Sequence, residues 1–239
     1  MELFSDLHQL SNLTSLYIQG CKRIESFSDL ELSNLTRLKI EGCESIESFP
    51  NLQLPNLTEL EILHCKNMKA FGDLQLPNLI RWMIYNCENL GSFPDLQLSN
   101  LTMLKDMFIL KCPMIDASLP QWGNQNFPAS LVELTLCSEP DVSDFSQLSH
   151  LFPSSLTTLY IVRFDNLESI STGLQHLTFL QHLTISFCPE VNDLPETLLP
   201  SLLSLRILYG CPKLKERCEG RGSHYWPRIS HIPCIEIQD

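Results

Sequence analysis

The chain has 239 residues, 44% of them apolar, and a mean hydropathy near zero, which is enough for a substantial core and argues against intrinsic disorder. Lys and Arg total 16 against 28 Asp and Glu, a formal net charge of −12. An acidic surface of this size repels phosphate backbones and no basic run offsets it, so no nucleic-acid partner is expected. No window approaches the ~18 continuous apolar residues that cross a bilayer, and no membrane association is expected either.

From the N-terminus, Met1 to Leu10 contains acids and no Lys or Arg, so it does not read as a signal peptide. Phe4-Ser-Asp-Leu7 and Leu10-Ser-Asn-Leu13 match Phe27-Ser-Asp-Leu30 and Leu32-Ser-Asn-Leu35. Residues 1–12 are therefore read as a partial repeat, which predicts an incompletely covered first rung and further protein ahead of it. The string Leu13…Leu16…Ile18…Cys21 then returns as Leu35…Leu38…Ile40…Cys43, Leu57…Leu60…Ile62…Cys65 and Leu79…Trp82…Ile84…Cys87. Looser copies begin at Leu104, Leu131, Leu156, Leu180 and Leu202, giving about nine units across 13–214. Residues 215–239 leave the pattern in an aromatic, proline-bearing segment that suits an end cap, so 1–239 reads as a single repeat domain.

The pattern L-x-x-L-x-L-x-x-N/C is that of leucine-rich repeats. Leu16 and Ile18, two residues apart, share one face of a short strand, and stacked strands bury that face together. The expected fold class is an α/β repeat solenoid: a horseshoe with a parallel concave sheet of about nine strands, on the order of 40 Å long. A second apolar pair follows each cysteine position (Ile24/Phe27, Ile46/Phe49, Met68/Phe71, Leu90/Phe93, Val142/Phe145, Leu167/Ile170, Val191/Leu194) and should fill the core from the convex side. Proline and glycine at the corners, with Pro55 and Pro77 ahead of returning strands, predict irregular or 3₁₀ convex segments and little α-helix. The register loosens in the middle, where Leu119-Pro-Gln-Trp-Gly-Asn-Gln-Asn-Phe-Pro reads as an exposed irregular loop.

Several motifs invite chemistry. Cys21, Cys43, Cys65 and Cys87 are 22 residues apart, which places the thiols in a column, one per rung, and not around a tetrahedral metal. Buried thiols there act as small hydrophobes able to meet a loop carbonyl. The tail holds Cys211, Cys218, His224, His231 and Cys234, a zinc-like inventory without a C-x₂-C pair; a packed cap is the default and no metal is expected. Asn12, Asn34, Asn56 and Asn100 open Asn-Leu-Thr sequons that recur with the repeat, where each Asn should bond its turn rather than carry a glycan. No phosphate loop, nucleophile elbow or His-Glu-x-x-His is present and the seven histidines are scattered, so neither catalysis nor a cofactor is expected.

Function is then expected on the outward positions of the strands. Between the two core residues these read Tyr17, Lys39, Glu61, Met83, Phe108, Thr135, Tyr160, Thr184 and Arg206; two residues on they include Leu63, Tyr85 and Leu110. Leu63, Met83, Tyr85, Phe108 and Leu110 form a contiguous apolar group on a nominally exposed face, with Arg37, Lys39, Glu59, Glu61 and Arg81 as a polar rim and Tyr160 further along. Such patches mark interaction sites. An external partner, another domain of the same protein, or no role at all would each account for it.

The repeat flavour resembles the C-terminal leucine-rich-repeat region of plant coiled-coil nucleotide-binding leucine-rich-repeat disease-resistance proteins. The tail Cys211-Pro-Lys-Leu-Lys-Glu-Arg-Cys218 followed by Tyr225-Trp226-Pro-Arg-Ile229-Ser-His231-Ile232-Pro resembles their closing segment. The resemblance implies a cytoplasmic protein that binds a pathogen effector, a guarded host protein or a nucleotide-binding domain in cis or trans. The coiled-coil and nucleotide-binding domains of that family are missing from this sequence, so nucleotide binding is not carried over; a truncated fragment or decoy is the alternative. A leucine-rich-repeat substrate adaptor would require an F-box, and a secreted ectodomain a signal peptide and cysteine-paired caps.

Overall fold

A computed structural model describes residues 12–21, 32–49, 52–71, 74–91, 98–119, 126–137 and 142–239. Two compact units divide the chain, Met1–Ser118 and Leu119–Asp239. Each is a stack of four- or five-residue strands, in most of which alternate side chains are buried, as the period-two pattern requires.

In the first unit, the strands β1 (Ser15–Gln19), β2 (Arg37–Glu41), β5 (Glu59–Leu63), β8 (Arg81–Tyr85) and β9 (Asp106–Leu110) pair in parallel in chain order. The register is in step with the repeat: Leu38, Leu60, Trp82 and Met107 align, as do Ile40, Ile62, Ile84 and Ile109. All eight are buried. Leu16, at the first rung, is only half-buried where Leu38 and Leu60 are covered.

Among the described residues, four two-residue strands lie in the segments between them. β3 (Ser48–Phe49) pairs with β6 (Ala70–Phe71), and β4 (Leu52–Gln53) with β7 (Leu74–Gln75). A short α-helix, α1 (Pro113–Ser118), stands at the C-terminal end of this unit, and a 3₁₀ turn at Leu98–Asn100 precedes β9. The expected second layer is present: Ile46, Met68, Phe71 and Leu90 are buried, and Phe71 meets the Trp82 ring edge-on at 5.1 Å. Ile24, Phe27 and Phe93 lie outside the described residues.

The second unit contains β10 (Glu133–Cys137), β11 (Thr158–Val162), β12 (His182–Ser186), β13 (Ser204–Leu208) and β14 (Cys234–Ile237), again parallel and in order. The last of these is a strand that the repeat pattern does not contain. It is formed by the tail, which returns through α3 (Pro212–Cys218) and α4 (Trp226–Ile229) to align Ile235 with Leu205 and Ile237 with Ile207. The intervening segments carry a four-residue α2 (Ser171–Leu174) and 3₁₀ turns at Phe145–Gln147, Ser149–Leu151 and Leu199–Ser201. Helix is thus short and sparse among the described residues, as the corner prolines implied. Phe145 and Phe164 are fully buried, and Gly173 sits so close to the Phe145 backbone that a Cβ there would lie 2.3 Å from its carbonyl carbon.

Of the stretch read as an exposed loop, residues 120–125 lie outside the described residues. Its described ends are anchored: Leu119 and Phe127 are buried, and the Phe127 ring stacks with Phe152 at 6.5 Å. An aromatic ring with partners this close gains more by burial than by solvation.

Hydrogen bonds between rungs replace those that a helix would supply. Asn56 donates from Nδ2 to the Ser33 carbonyl at 2.7 Å, and Asn78 likewise to Pro55 at 2.7 Å. The asparagines therefore reach the preceding rung, not their own turn. Thr36 and Thr58 hydroxyls donate to the Thr14 and Thr36 carbonyls in the same fashion.

Candidate functional site

On the open face of the first unit, the strand registers set three rows side by side. The first runs Arg37, Glu59, Arg81, Asp106; the second Lys39, Glu61, Met83, Phe108; the third Glu41, Leu63, Tyr85, Leu110. The period-two alternation turns these side chains away from the core while Leu60, Ile62, Trp82, Ile84, Met107 and Ile109 are buried. Leu63, Met83, Tyr85, Phe108 and Leu110 are each half-buried. The sheet thus brings all five together across β5, β8 and β9, with the charged residues beside them.

The rim is internally paired. Arg81 donates to the Asp106 carboxylate from both Nε and Nη2, at 3.3 and 3.1 Å. Lys39 lies 3.2 Å from Glu41 and 3.8 Å from Glu61, with its ammonium 5.1 Å from the centre of the Tyr17 ring. Tyr17 donates its hydroxyl to Glu41 at 2.7 Å. That bond, with the one from Lys39, holds the Glu41 carboxyl below the usual range; the same bond raises the Tyr17 phenol. Exposed pairs of this kind add little to stability, so their effect is to fix side-chain positions and sign. Ser15, Tyr17, Arg37, Lys39, Glu59 and Glu61 surround a shallow depression of about 260 Å³.

Tyr85 is held from the side opposite the rim. His64 meets its ring edge-on at 4.9 Å, the Lys111 ammonium lies 5.4 Å from the ring centre, and Asn86 contacts His64 Nδ1 at 3.1 Å. Tyr17, Glu41, Asp106, His64 and Lys111 were not among the expected site residues. Glu41 and Asp106 lie in rows the strand alternation already gives, one strand along from Leu63 and Arg81. His64 and Lys111 occupy left-handed turn positions, φ +56° and +55°, immediately after a strand, where the repeat pattern makes no statement about direction.

Tyr160 belongs to the second unit, on β11, flanked in register by Thr135 and Thr184. It is half-buried, and burial pushes its phenol up. Its row is otherwise polar.

The tail residues with metal-binding chemistry are engaged separately. Cys211 is buried with its thiol toward the Tyr209 carbonyl at 3.6 Å, Cys218 is buried, and Cys234 is exposed. His231 contacts the Leu199 carbonyl at 3.2 Å and His224 meets the Tyr225 ring at 4.8 Å. Among the described residues no group of three His, Cys, Asp or Glu side chains could hold a metal ion, and no helix is long and apolar enough to cross a membrane.

Among curated proteins no sequence matches the chain. In solved structures, the complex titled "Crystal structure of TLR13-ssRNA13 complex" aligns over 86% of this chain with 18% identity and a TM-score of 0.44; the chain spans 37% of that protein. An internalin (inlF) from Listeria monocytogenes aligns over 96% of this chain and 82% of its own, at 14% identity and a TM-score of 0.37. Residues 2–113 match the family profile "Plant disease resistance protein RPS2-like, leucine-rich repeats". The chain is a leucine-rich-repeat protein, and its residues 2–113 are a repeat region of the plant disease-resistance type.

Proposed function

We propose that this chain is a non-catalytic recognition module of a cytoplasmic plant immune receptor, and that its docking surface is the apolar group Leu63, Met83, Tyr85, Phe108 and Leu110. The observation that carries the reading is the half-exposed state of these five adjoining side chains, in a strand stack that buries the leucines and isoleucines of the same strands. Aromatic and aliphatic anchors inside a charged rim are the usual make-up of a protein-binding hot spot. All five also fall inside the region that matches the disease-resistance profile. The partner is a pathogen effector, a guarded host protein or a nucleotide-binding domain; each would bury the anchors and meet the Arg37, Lys39, Glu61 and Arg81 rim.

Proximity labelling in plant cells, with the wild-type chain and a Tyr85→Ala/Phe108→Ala variant as baits, tests this. The expected outcome is that the variant loses the wild type's specific partners, and that the identity of those partners selects among the three classes. For a partner so identified, affinity should fall about tenfold or more per anchor. Partners retained at full affinity by a folded double variant would overturn the assignment.

A further inference from the structure

The second unit carries an aromatic strip apart from the Leu63–Leu110 group. Every five-residue strand except β10, whose next residue lies outside the described ones, is followed by a residue of left-handed backbone conformation. In the first unit these are Gly20, Gly42, His64, Asn86 and Lys111, at φ +54° to +63°. Glycine and asparagine tolerate this region; bulky side chains rarely enter it. In the second unit the same position holds Arg163 (φ +60°), Phe187 (φ +54°) and Tyr209 (φ +41°).

The three form a continuous row. Backbone bonds step from Arg163 N to Ser186 O at 3.0 Å and from Phe187 N to Tyr209 O at 2.7 Å. The Phe187 and Tyr209 rings stack with centroids 6.0 Å apart, and the Arg163 guanidinium lies 5.6 Å from the Phe187 ring centre. Phe187 and Tyr209 nevertheless remain 44% and 46% exposed. Gly210, the extra residue of the ninth repeat, makes room for the arrangement. It has φ +63°, and a Cβ there would lie 3.3 Å from the Phe187 Cα and 3.4 Å from its ring. The left-handed turn belongs to the repeat, but two large rings that stack on each other and stay nearly half exposed form a surface that core packing does not account for.

Charge identifies the occupant. In a chain of net charge −12, Arg163 makes no ion pair among the described residues, although Asp165 is only two positions away. Exposed and beside a ring, Arg163 carries the planar fork of N–H donors that suits a carboxylate in bidentate fashion. Three adjacent strands at about 4.8 Å spacing span roughly 10 Å, the length of about three extended residues. We propose that Arg163, Phe187 and Tyr209 form a docking strip for an extended peptide segment with an Asp or Glu within about three residues of an aromatic or aliphatic side chain. The acid binds Arg163 and the apolar side chain lies on the Phe187–Tyr209 stack. This surface is independent of the Leu63–Leu110 group.

The test is selection of a random dodecapeptide display library on the immobilised full chain, in parallel with Arg163→Glu, Phe187→Asn/Tyr209→Asn and Tyr85→Ala. Asparagine suits the left-handed backbone, so the double asparagine variant removes the rings while keeping the turn, and an unchanged melting temperature confirms it. The expected wild-type pool is enriched in an acid about three positions from an apolar residue. Its synthesised winners should bind Tyr85→Ala as they bind wild type and lose about tenfold or more on the other two variants. A Glu→Lys version of the winning peptide should regain binding on Arg163→Glu. No enrichment, enrichment without acids, or winners that bind Arg163→Glu and the asparagine variant undiminished would overturn the strip. Winners lost only on Tyr85→Ala would also overturn it, while supporting the first docking surface.

Discussion

Asn56 and Asn78 each hold a backbone carbonyl of the rung before them, and the same geometry appears again at Asn67 and Asn89, which donate to the Glu44 and Lys66 carbonyls at 2.8 Å. A side-chain amide that donates across a rung substitutes for a backbone bond that the irregular segment cannot make. Asn56→Ala should therefore lower stability by about 1 kcal/mol, read as a shift in urea midpoint at constant m-value. The thiol column supplies a second test at this scale. Cys43, Cys65, Cys87 and Cys112 are buried, with each sulfur 3.4–3.6 Å from the carbonyl two residues before it. Burial pushes the Cys43 thiol up to about 11 and the Cys218 thiol to about 12, and raises Cys65 as well. Unfolded thiols ionise near 8.5, so the unfolded state releases protons that the folded state keeps. The stability these neutral thiols contribute is complete below about pH 8.5 and is lost as pH climbs from there toward the folded values. A urea midpoint that falls between pH 8 and pH 10, and falls less in Cys43→Ala, is the expected result; a midpoint independent of pH would contradict it.

At the level of elements, the strand rungs and their buried rows were legible because a period of two and a register of 22 residues both act within short stretches of sequence. The open-face rows Lys39–Glu61–Met83 and Leu63–Tyr85–Leu110 follow from the same alternation, which is why the candidate docking group is legible in the sequence. The Asn56–Ser33 bond could not, since its partner is 23 residues away and a local reading assigns the amide to its own turn. Nor could the Arg163–Phe187–Tyr209 row, because nothing in those residue types announces a positive φ. The tail's strand β14 was hidden for a third reason: Ile235 and Ile237 alternate like a rung but lack the leucine that opens each repeat. What holds this returning tail is a small set of polar contacts. Tyr225, buried, accepts the Leu194 N–H at 3.1 Å; Arg217 lies 5.1 Å from its ring centre and donates to the Asn192 carbonyl at 2.6 Å. Tyr225→Phe removes only the acceptor and leaves a buried N–H unmet, a loss of about 1–3 kcal/mol. Hydrogen exchange should show the loss as faster exchange at Leu194 and along 212–237, with β11 unchanged.

For the molecule as a whole, the decisive property is that each rung in a unit rests mainly on its neighbours. In such a stack the free energy is a sum of rung terms and neighbour terms, and damage to one rung is felt first by the two that flank it. Trp82 is the sharpest place to test this. It is fully buried, its β8 position aligns with Leu60 on one side and Met107 on the other, and Phe71 packs against its ring. Trp82→Ala removes the largest side chain of the first unit's core and should cost about 3–5 kcal/mol. Trp82→Leu, which restores the residue type of the preceding rung, should cost less because part of the volume is refilled. In native-state hydrogen exchange, the alanine variant should lose protection most at β5, β8 and β9, less at β2, and least at β12 and β13. The same graded loss would weaken the Tyr85 and Phe108 anchors, whose strands share that rung, while leaving Phe187 and Tyr209 in place. Peptides selected on the second unit should then still bind Trp82→Ala, whereas partners of the first should be lost. A uniform loss of protection across all strands would instead mean that the two units unfold as one cooperative block.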